Sequence, residues 1–446
     1  MRKKYVLILV LFLNTIVFSS LPKAKGFKYK EGYLKNGLKI IVINRKYLPR
    51  VSFSLMFKSG IYNEEKPGTA NLLASTLIYG NEYMSAQSVV SKLDFLGASV
   101  GVNAGYDNML ISASMLSSST ARVLKIISRI ARLPRFDNGI LNRFKMRTLS
   151  MLKAQRENIH TSVRMKFYEY IYGKHPYSRD PKGTAKSIIN LKRGDLYKFH
   201  RTYFVPNNAV AFLVGDITFE KALKLMDKYF GTWKSKKLPA EKKYNIPEIK
   251  QDTKIINYPT SQGYVRMGHV SVGRNHPMYY KLLVYNAILG GSGFGSRLTR
   301  IIREKYGLTY GIVSYFYVSR KRPGYFHINF STKLSKIKFA IKKVYEVLDD
   351  YAKNGPTEKE LADIKKYLTG TLIFTRETPS QLVGTLIEME LYGLKPYFWE
   401  KEAQIINSLT ISDIKQAAKY LHRNKFSLVI VADLKKIKLT EKQVTY

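Results

Sequence analysis

The sequence predicts an α+β protein of two homologous lobes, each a largely antiparallel sheet with helices over one face. Three observations carry this reading. Early strands alternate apolar residues, as in Leu38–Ile43 and Val51–Phe57; later stretches place apolar residues at three- and four-residue spacing, as amphipathic helices do; and the same order recurs in the second half of the chain. With 446 residues, the chain has room for two lobes of roughly 200 residues each. Its 45% hydrophobic and 13% aromatic content belongs to a folded globular protein.

The recurrence has a shift of about 218 residues. Leu116-Ser117-Ser118 before the helical pattern Ala121–Ala131 answers Leu334-Ser335-Lys336 before Phe339–Tyr351. Ile189-Asn190-Leu191-Lys192-Arg193-Gly194-Asp195-Leu196 answers Ser408-Leu409-Thr410-Ile411-Ser412-Asp413-Ile414. Each is followed by an apolar strand ending in an acid, Val210–Asp216 and Phe426–Asp433. Agreement at three separate places points to duplication. The stretch from Lys234 to Asp252 is charged, holds Pro239 and Pro247 and lacks apolar periodicity, so it reads as a linker. The lobes are therefore expected at 26–235 and 253–446, joined through 236–252.

The N-terminus opens Met1-Arg2-Lys3-Lys4 and continues as an apolar run from Tyr5 to Phe18, broken by Asn14 and Thr15. A charged start with a short apolar stretch is the pattern of a secretory signal peptide, expected here over 1–25, and is shorter than an ordinary spanning helix. An uncleaved anchor is the alternative. Export to a bacterial periplasm is the expectation. The absence of cysteine excludes disulfides, thiolate metal sites and a lipid-modified cysteine.

Net charge is +43, from 75 Lys and Arg against 32 Asp and Glu. The cations are spread along the chain without long runs, and no nucleic-acid motif accompanies them, so nucleic acid is not an expected partner. The charge reads as solvated surface, with weak attraction to anionic membrane as a secondary expectation.

Several stretches resemble the insulinase/pitrilysin family of zinc peptidases, most closely its short two-lobed bacterial members. Pro67-Gly68-Thr69-Ala70-Asn71-Leu72-Leu73-Ala74-Ser75 looks like the helix that carries the inverted zinc motif H-x-x-E-H. Gly173-Lys174-His175-Pro176-Tyr177, Gly183-Thr184, Asp195–Phe199 and Pro206-Asn207-Asn208 look like the mid-lobe signature, and Val214-Gly215-Asp216 like the end of the first lobe. In the second lobe, Gly290-Gly291 through Ser296-Arg297-Leu298, then Arg303 to Val318, resemble its best-marked segment. The resemblance covers nearly the whole mature chain.

The departure from that family lies at the metal. Two histidines at i and i+4 bind zinc there, and a glutamate between them activates water. The histidine positions are here Asn71 and Ser75, and the base position is Ala74. A second glutamate of the family falls near Leu149–Leu152, where no acid stands between Asp137 and Glu157. Neutral asparagine and serine are poor zinc ligands, and alanine takes no proton. The remaining histidines, His160, His175, His200, His269, His276, His327 and His422, offer no i, i+4 pair. No catalytic metal is expected in this chain.

In the same family a late arginine and tyrosine, seven residues apart, donate hydrogen bonds to the substrate carbonyl. Arg303 and Tyr310 stand at that spacing. Arg297–Lys305 has a helical pattern, Gly307 is placed to end it, and Tyr310–Val318 reads as a strand. Taken alone, an arginine in a last helical turn often only complements the helix dipole. The run Gly290-Gly291-Ser292-Gly293-Phe294-Gly295-Ser296 lacks the ending and spacing of a phosphate loop; the resemblance puts Gly290, Gly291 and Gly293 near the substrate path.

Some short members of the family work as heterodimers in which one chain carries zinc and the other the arginine and tyrosine. The expected function is thus that of a non-zinc subunit of a periplasmic metallopeptidase. It would be inactive alone and active with a zinc-bearing homologous partner on unfolded peptides. The alternative is a non-catalytic binding or scaffold protein of the same fold.

Overall fold

The structure is a computed structural model that describes residues 27–246, 252–320, 323–421 and 423–444; the leader expected over 1–25 lies outside them. Strands β1 (Lys30–Tyr33), β2 (Lys39–Asn44), β3 (Arg50–Phe57), β4 (Ser99–Ala104), β5 (Met109–Leu116) and β6 (Ala209–Gly215) form one sheet in the order β1-β2-β6-β3-β5-β4. Strands β7 (Asp252–Asn257), β8 (Gln262–Val270), β9 (Ile312–Tyr317), β10 (Tyr325–Lys333) and β11 (Ser427–Ala432) form a second, ordered β7-β11-β8-β10-β9. With β1 set aside, the two orders superpose strand for strand. The parallel pair sits at the same place in each, β2 with β6 and β7 with β11, and the other pairings are antiparallel. A shared order with one shared exception supports duplication of a single unit.

The first lobe adds α1 (Thr69–Thr76), α2 (Ala86–Phe95), α3 (Thr120–Arg132), α4 (Asn138–Glu157), α5 (Ile159–Tyr172), α6 (Ala185–Asn190), α7 (Arg193–Tyr203) and α8 (Phe219–Phe230). Capping residues punctuate them. Asp137 accepts from Gly139 N and Ile140 N to start α4, and Asn158 accepts from Thr161 N to separate α5 from it. The second lobe adds α9 (Tyr279–Asn286), α10 (Ile337–Asn354), α11 (Glu358–Phe374), α12 (Pro379–Tyr392), α13 (Phe398–Ser408) and α14 (Ile411–Ala418). Reciprocal Thr–Glu and Thr–Gln capping boxes open α11 and α12.

Each sheet has its own lobe's helices on one face, as expected. The other face is covered too, by a helix from the opposite lobe. Leu382, Val383, Leu386 and Met389 of α12 pack against Ile41, Ile43, Val210 and Phe212 of the first sheet. Val163, Phe167 and Ile171 of α5 pack against Val429 and Val431 of the second. The reason is legible in β6 and β11, whose residues are buried without alternation; a strand apolar on both sides needs cover on both.

Tyrosines fill this exchanged interface. The hydroxyls of Tyr168 and Tyr325 lie 2.8 Å apart. Tyr172 donates to Pro323 O at 3.2 Å, and Tyr177 donates to Asp107 at 2.6 Å. Each ring supplies apolar area while its hydroxyl finds a hydrogen-bond partner. The linker is likewise pinned: Tyr62 donates to Lys242 O at 2.6 Å, and Tyr244 and Ile246 pack with the interface cluster.

Candidate functional site

The site begins with how α1 is held. Gly68 has φ +91° and Gly183 has φ +80°. A Cβ on Gly68 would lie 2.7 Å from Lys182 O, and one on Gly183 would lie 2.6 Å from Pro67 O. Two motif stretches far apart in sequence thus meet backbone to backbone, and a side chain on either glycine would part them. Lys66 pairs with Asp195 at 2.7 Å, tying the start of α1 to α7.

Glu64 completes this start. It is buried, and its carboxyl accepts from Gly68 N and Ala70 N, each at 3.1 Å. Burial pushes its pKa up to about 7, against the opposing pull of those two amides and of Arg179. Sequence reading passed over Glu64; its signal was an acid just ahead of the Pro67-Gly68-Thr69 helix start, where free amides want an anion.

On α1 the positions corresponding to the family's metal site do not fit zinc. The Ser75 hydroxyl donates to the Asn71 carbonyl at 2.9 Å, so it is spent on its own helix. Ala74 is buried in the first-lobe core. The helix opposite, α4, turns Leu149 and Leu152 into that same core, so apolar packing stands where the family's second glutamate belongs. Asp137, the nearest acid upstream, is occupied as the cap of α4. Among the described residues, no three His, Asp or Glu side chains gather at metal-binding distance. His175 and His200 are buried. His175 Nδ1 accepts from Tyr177 N at 3.1 Å, and His200 Nε2 lies 2.8 Å from Ala131 O. Burial lowers the pKa of His200 to about 4, so it packs as a neutral ring.

In the second lobe, two π-helical segments, Ala287–Gly291 and Thr299–Lys305, flank the glycine-rich loop. Wider turns of this kind recur at functional sites. Gly290 and Gly291 are packing glycines. A Cβ on Gly290 would lie 2.6 Å from Ser314 Oγ, and one on Gly291 would lie 2.5 Å from Asn286 Nδ2. Gly293 has φ +74° with open space around it, and it turns the loop so that Phe294 is 72% exposed.

Arg303 lies on the second π segment, its guanidinium 4.7 Å from the Phe294 ring centroid. Gly307, at φ +60°, ends the segment, with its N–H donating to Arg303 O at 3.0 Å. Tyr310 precedes β9 by two residues, short of the strand start expected at 310, and is 90% exposed. Its hydroxyl has no hydrogen-bond partner among the described residues. Arg303, half-buried, and Tyr310, exposed, stand on either side of the turn at Gly307 and share no hydrogen-bond partner among the described residues.

Behind them Arg297 anchors the segment. It makes paired hydrogen bonds of 2.9 and 2.6 Å to Glu360, another to Gly355 O, and lies over Tyr351. Burial alone would raise Glu360, but the Arg297 contacts hold it at about 2.

The profile described as "Insulinase (Peptidase family M16)" matches residues 39–184, and that described as "Peptidase M16 inactive domain" matches 190–368. A Helicobacter pylori protein described as "Non-peptidase homolog YmxG" is 25% identical over 412 residues, covering 90% of this chain and 93% of its own. The crystal structure of a peptidase M16 inactive domain from Pseudomonas fluorescens superposes with a TM-score of 0.85 at 30% identity, over 91% of this chain and 98% of that one. The periplasmic protease PqqL from Escherichia coli shares the fold, with a TM-score of 0.77 at 16% identity, over 95% of this chain and 50% of that chain. The chain belongs to the insulinase (M16) peptidase family.

Proposed function

We propose that this chain is the non-zinc subunit of a heteromeric, periplasmic metallopeptidase. A homologous partner bears the zinc and the water-activating glutamate. This chain contributes the facing wall of the chamber and offers Arg303 and Tyr310 to the carbonyl of an unfolded peptide. As water adds to that carbonyl, the guanidinium and phenol donate hydrogen bonds to the developing oxyanion, an effect commonly worth about 3–4 kcal/mol.

The observation that carries the reading is the asymmetry between the lobes. The first lobe fills its metal positions with Asn71, Ala74 and Ser75, while the second keeps Arg303 and Tyr310 at the family's seven-residue spacing, with Tyr310 exposed. Further support comes from PqqL: this chain spans half of it, so that protease has the length of two such units. The description of the Helicobacter pylori relative as a non-peptidase homolog favours a second reading, a scaffold of the same fold with no catalytic part.

The test is to purify the chain alone, a family chain with intact H-x-x-E-H from the same organism, and the two mixed. Cleavage of an unfolded peptide that requires both chains and stops with chelator supports the subunit reading. Undiminished cleavage by the zinc-bearing chain alone supports the scaffold.

A further inference from the structure

The strand register gathers one set of loops at one end of the first sheet. Asn44 pairs with Gly215, Gly215 with Val51, Arg50 with Leu116, and Ser114 with Ser99. The connection from β2 to β3 and the approaches to α3, α8 and β4 therefore share an edge.

Large apolar side chains stand uncovered along that edge. Tyr47 is 83% exposed and Leu48 57% at the tip of the β2–β3 connection, and Phe95, at the end of α2, is 85% exposed. A core-forming hydrophobe has no reason to sit at such a tip, and three on one edge are more than scattered surface residues account for.

The tip is held in shape. Arg45 N donates to Gly215 O at 2.7 Å and Arg50 N to Leu48 O at 2.7 Å, while Ser117 N donates to Pro49 O at 2.9 Å. The Arg45 guanidinium lies over the Tyr47 ring, 5.8 Å from its centroid. The loop thus presents Tyr47 and Leu48 outward with little ordering left to pay for.

The surroundings are basic. Arg45, Lys46 and Arg50 flank the tip, and Lys92, Arg122 and Lys221 are exposed on the neighbouring helix ends. Asp94, Asp216 and Glu220 oppose them, and Glu220 is already paired with Lys30 at 3.1 Å. Phe27, where the described chain begins, packs with Ile43 and Val214 at this same end.

From this arrangement we infer that the β2–β3 connection docks the protein on an anionic phospholipid bilayer. Tyr47 and Leu48 enter the headgroup–acyl boundary, and the ring of Lys and Arg engages the lipid phosphates. An aromatic and an aliphatic tip within a cationic rim is the chemistry that interfacial binding uses. A protein partner of ordinary composition would need acidic groups to match the rim, whereas a bilayer satisfies rim and tip at once. The inference stands independently of the peptidase reading, since none of these residues belongs to the candidate site.

Because the whole chain carries +43, simple adhesion to anionic vesicles is not enough, and the readout has to be local. Trp233 and Trp399 are both buried, so Tyr47→Trp in the full chain places an indole that reports on this loop. With vesicles of equal parts phosphatidylglycerol and phosphatidylcholine, its emission should move to the blue and be quenched by lipids brominated in the acyl chain. Phosphatidylcholine vesicles should leave it unchanged. Tyr47→Ser with Leu48→Ser, which keeps net charge and removes only exposed groups, should weaken vesicle binding roughly tenfold. Three results would overturn the inference: vesicle binding without any emission change; equal binding by the double variant; or a blue shift produced by a partner protein in the absence of lipid.

Discussion

The guanidinium of Arg303 lies over the ring of Phe294, 4.7 Å from its centroid, so the glycine-rich loop and the helix after it are joined through one cation–π contact. At an exposed site such a contact is worth about 0.5–1 kcal/mol. Phe294→Ala should therefore lower kcat of the two-chain peptidase by roughly two- to fivefold, through a less ordered Arg303. Peptide-cleavage kinetics on the reconstituted pair check this, and an unchanged kcat would separate the stacking from any positioning role.

Restoring the family's motif on α1 should not restore a zinc enzyme. In Asn71→His/Ala74→Glu/Ser75→His, the new glutamate enters a position buried in the first-lobe core, and α4 still presents Leu149 and Leu152. Placing a carboxylate there without a partner should cost about 2–4 kcal/mol. Thermal denaturation should show the loss, and elemental analysis of the dialysed variant should find substoichiometric zinc. Stoichiometric zinc with peptide cleavage would mean that the apolar wall on α4 is no obstacle.

Two buried groups impose opposite pH slopes on stability. Glu64 titrates at about 7 in the fold and near 4.3 in an unfolded chain. Its contribution is fully present below the unfolded value and is lost as pH rises through 7. His200 titrates at about 4 in the fold and near 6.5 unfolded; its contribution is complete above the unfolded value and is lost as pH falls through 4. Between about pH 4.5 and 6.5 the two oppose each other. Glu64→Gln keeps an amide acceptor at α1 and removes one titration, so its Tm relative to wild type should climb as pH rises from about 5 to 7. A difference that is flat with pH would show that Glu64 remains ionised in the fold.

Cross-lobe packing predicts shared stability. Phe167 sits on α5 of the first lobe and is fully buried against the second lobe's sheet face. Phe167→Ala should cost about 3–5 kcal/mol. Hydrogen exchange should rise in β8 and β11 together with α5. Exchange confined to α5 would mean that the lobes stand independently.

The fold was legible because its signals are periodic and repeated. The amphipathic stripe of α3 and the recurrence between halves constrain the answer and agree, whereas β2 and β3, expected to alternate, are buried nearly throughout because both faces of the sheet are covered. The cross-lobe exchange of α5 and α12 was not foreseen, although the unbroken apolar runs of β6 and β11 imply a second cover; periodicity says that a face is buried, not by which segment. At the candidate site, Asn71, Ala74 and Ser75 could be located because Pro67–Ser75 resembles the family's zinc-motif helix. The roles of Gly290 and Gly291 as packing residues against Ser314 and Asn286 depend on approaches that no local pattern encodes. Glu64 was missed for a related reason: its environment is made by burial and by amides that only the folded turn brings to it.

The most direct test of the central claim is single-turnover peptide cleavage by the reconstituted two-chain peptidase carrying Arg303→Ala or Tyr310→Phe in this subunit, with assembly of the pair verified for each variant. The account predicts an intact complex whose chemical step slows by roughly a hundredfold with Arg303→Ala, with a smaller loss for Tyr310→Phe. Full-speed cleavage by an assembled pair lacking both groups would contradict it.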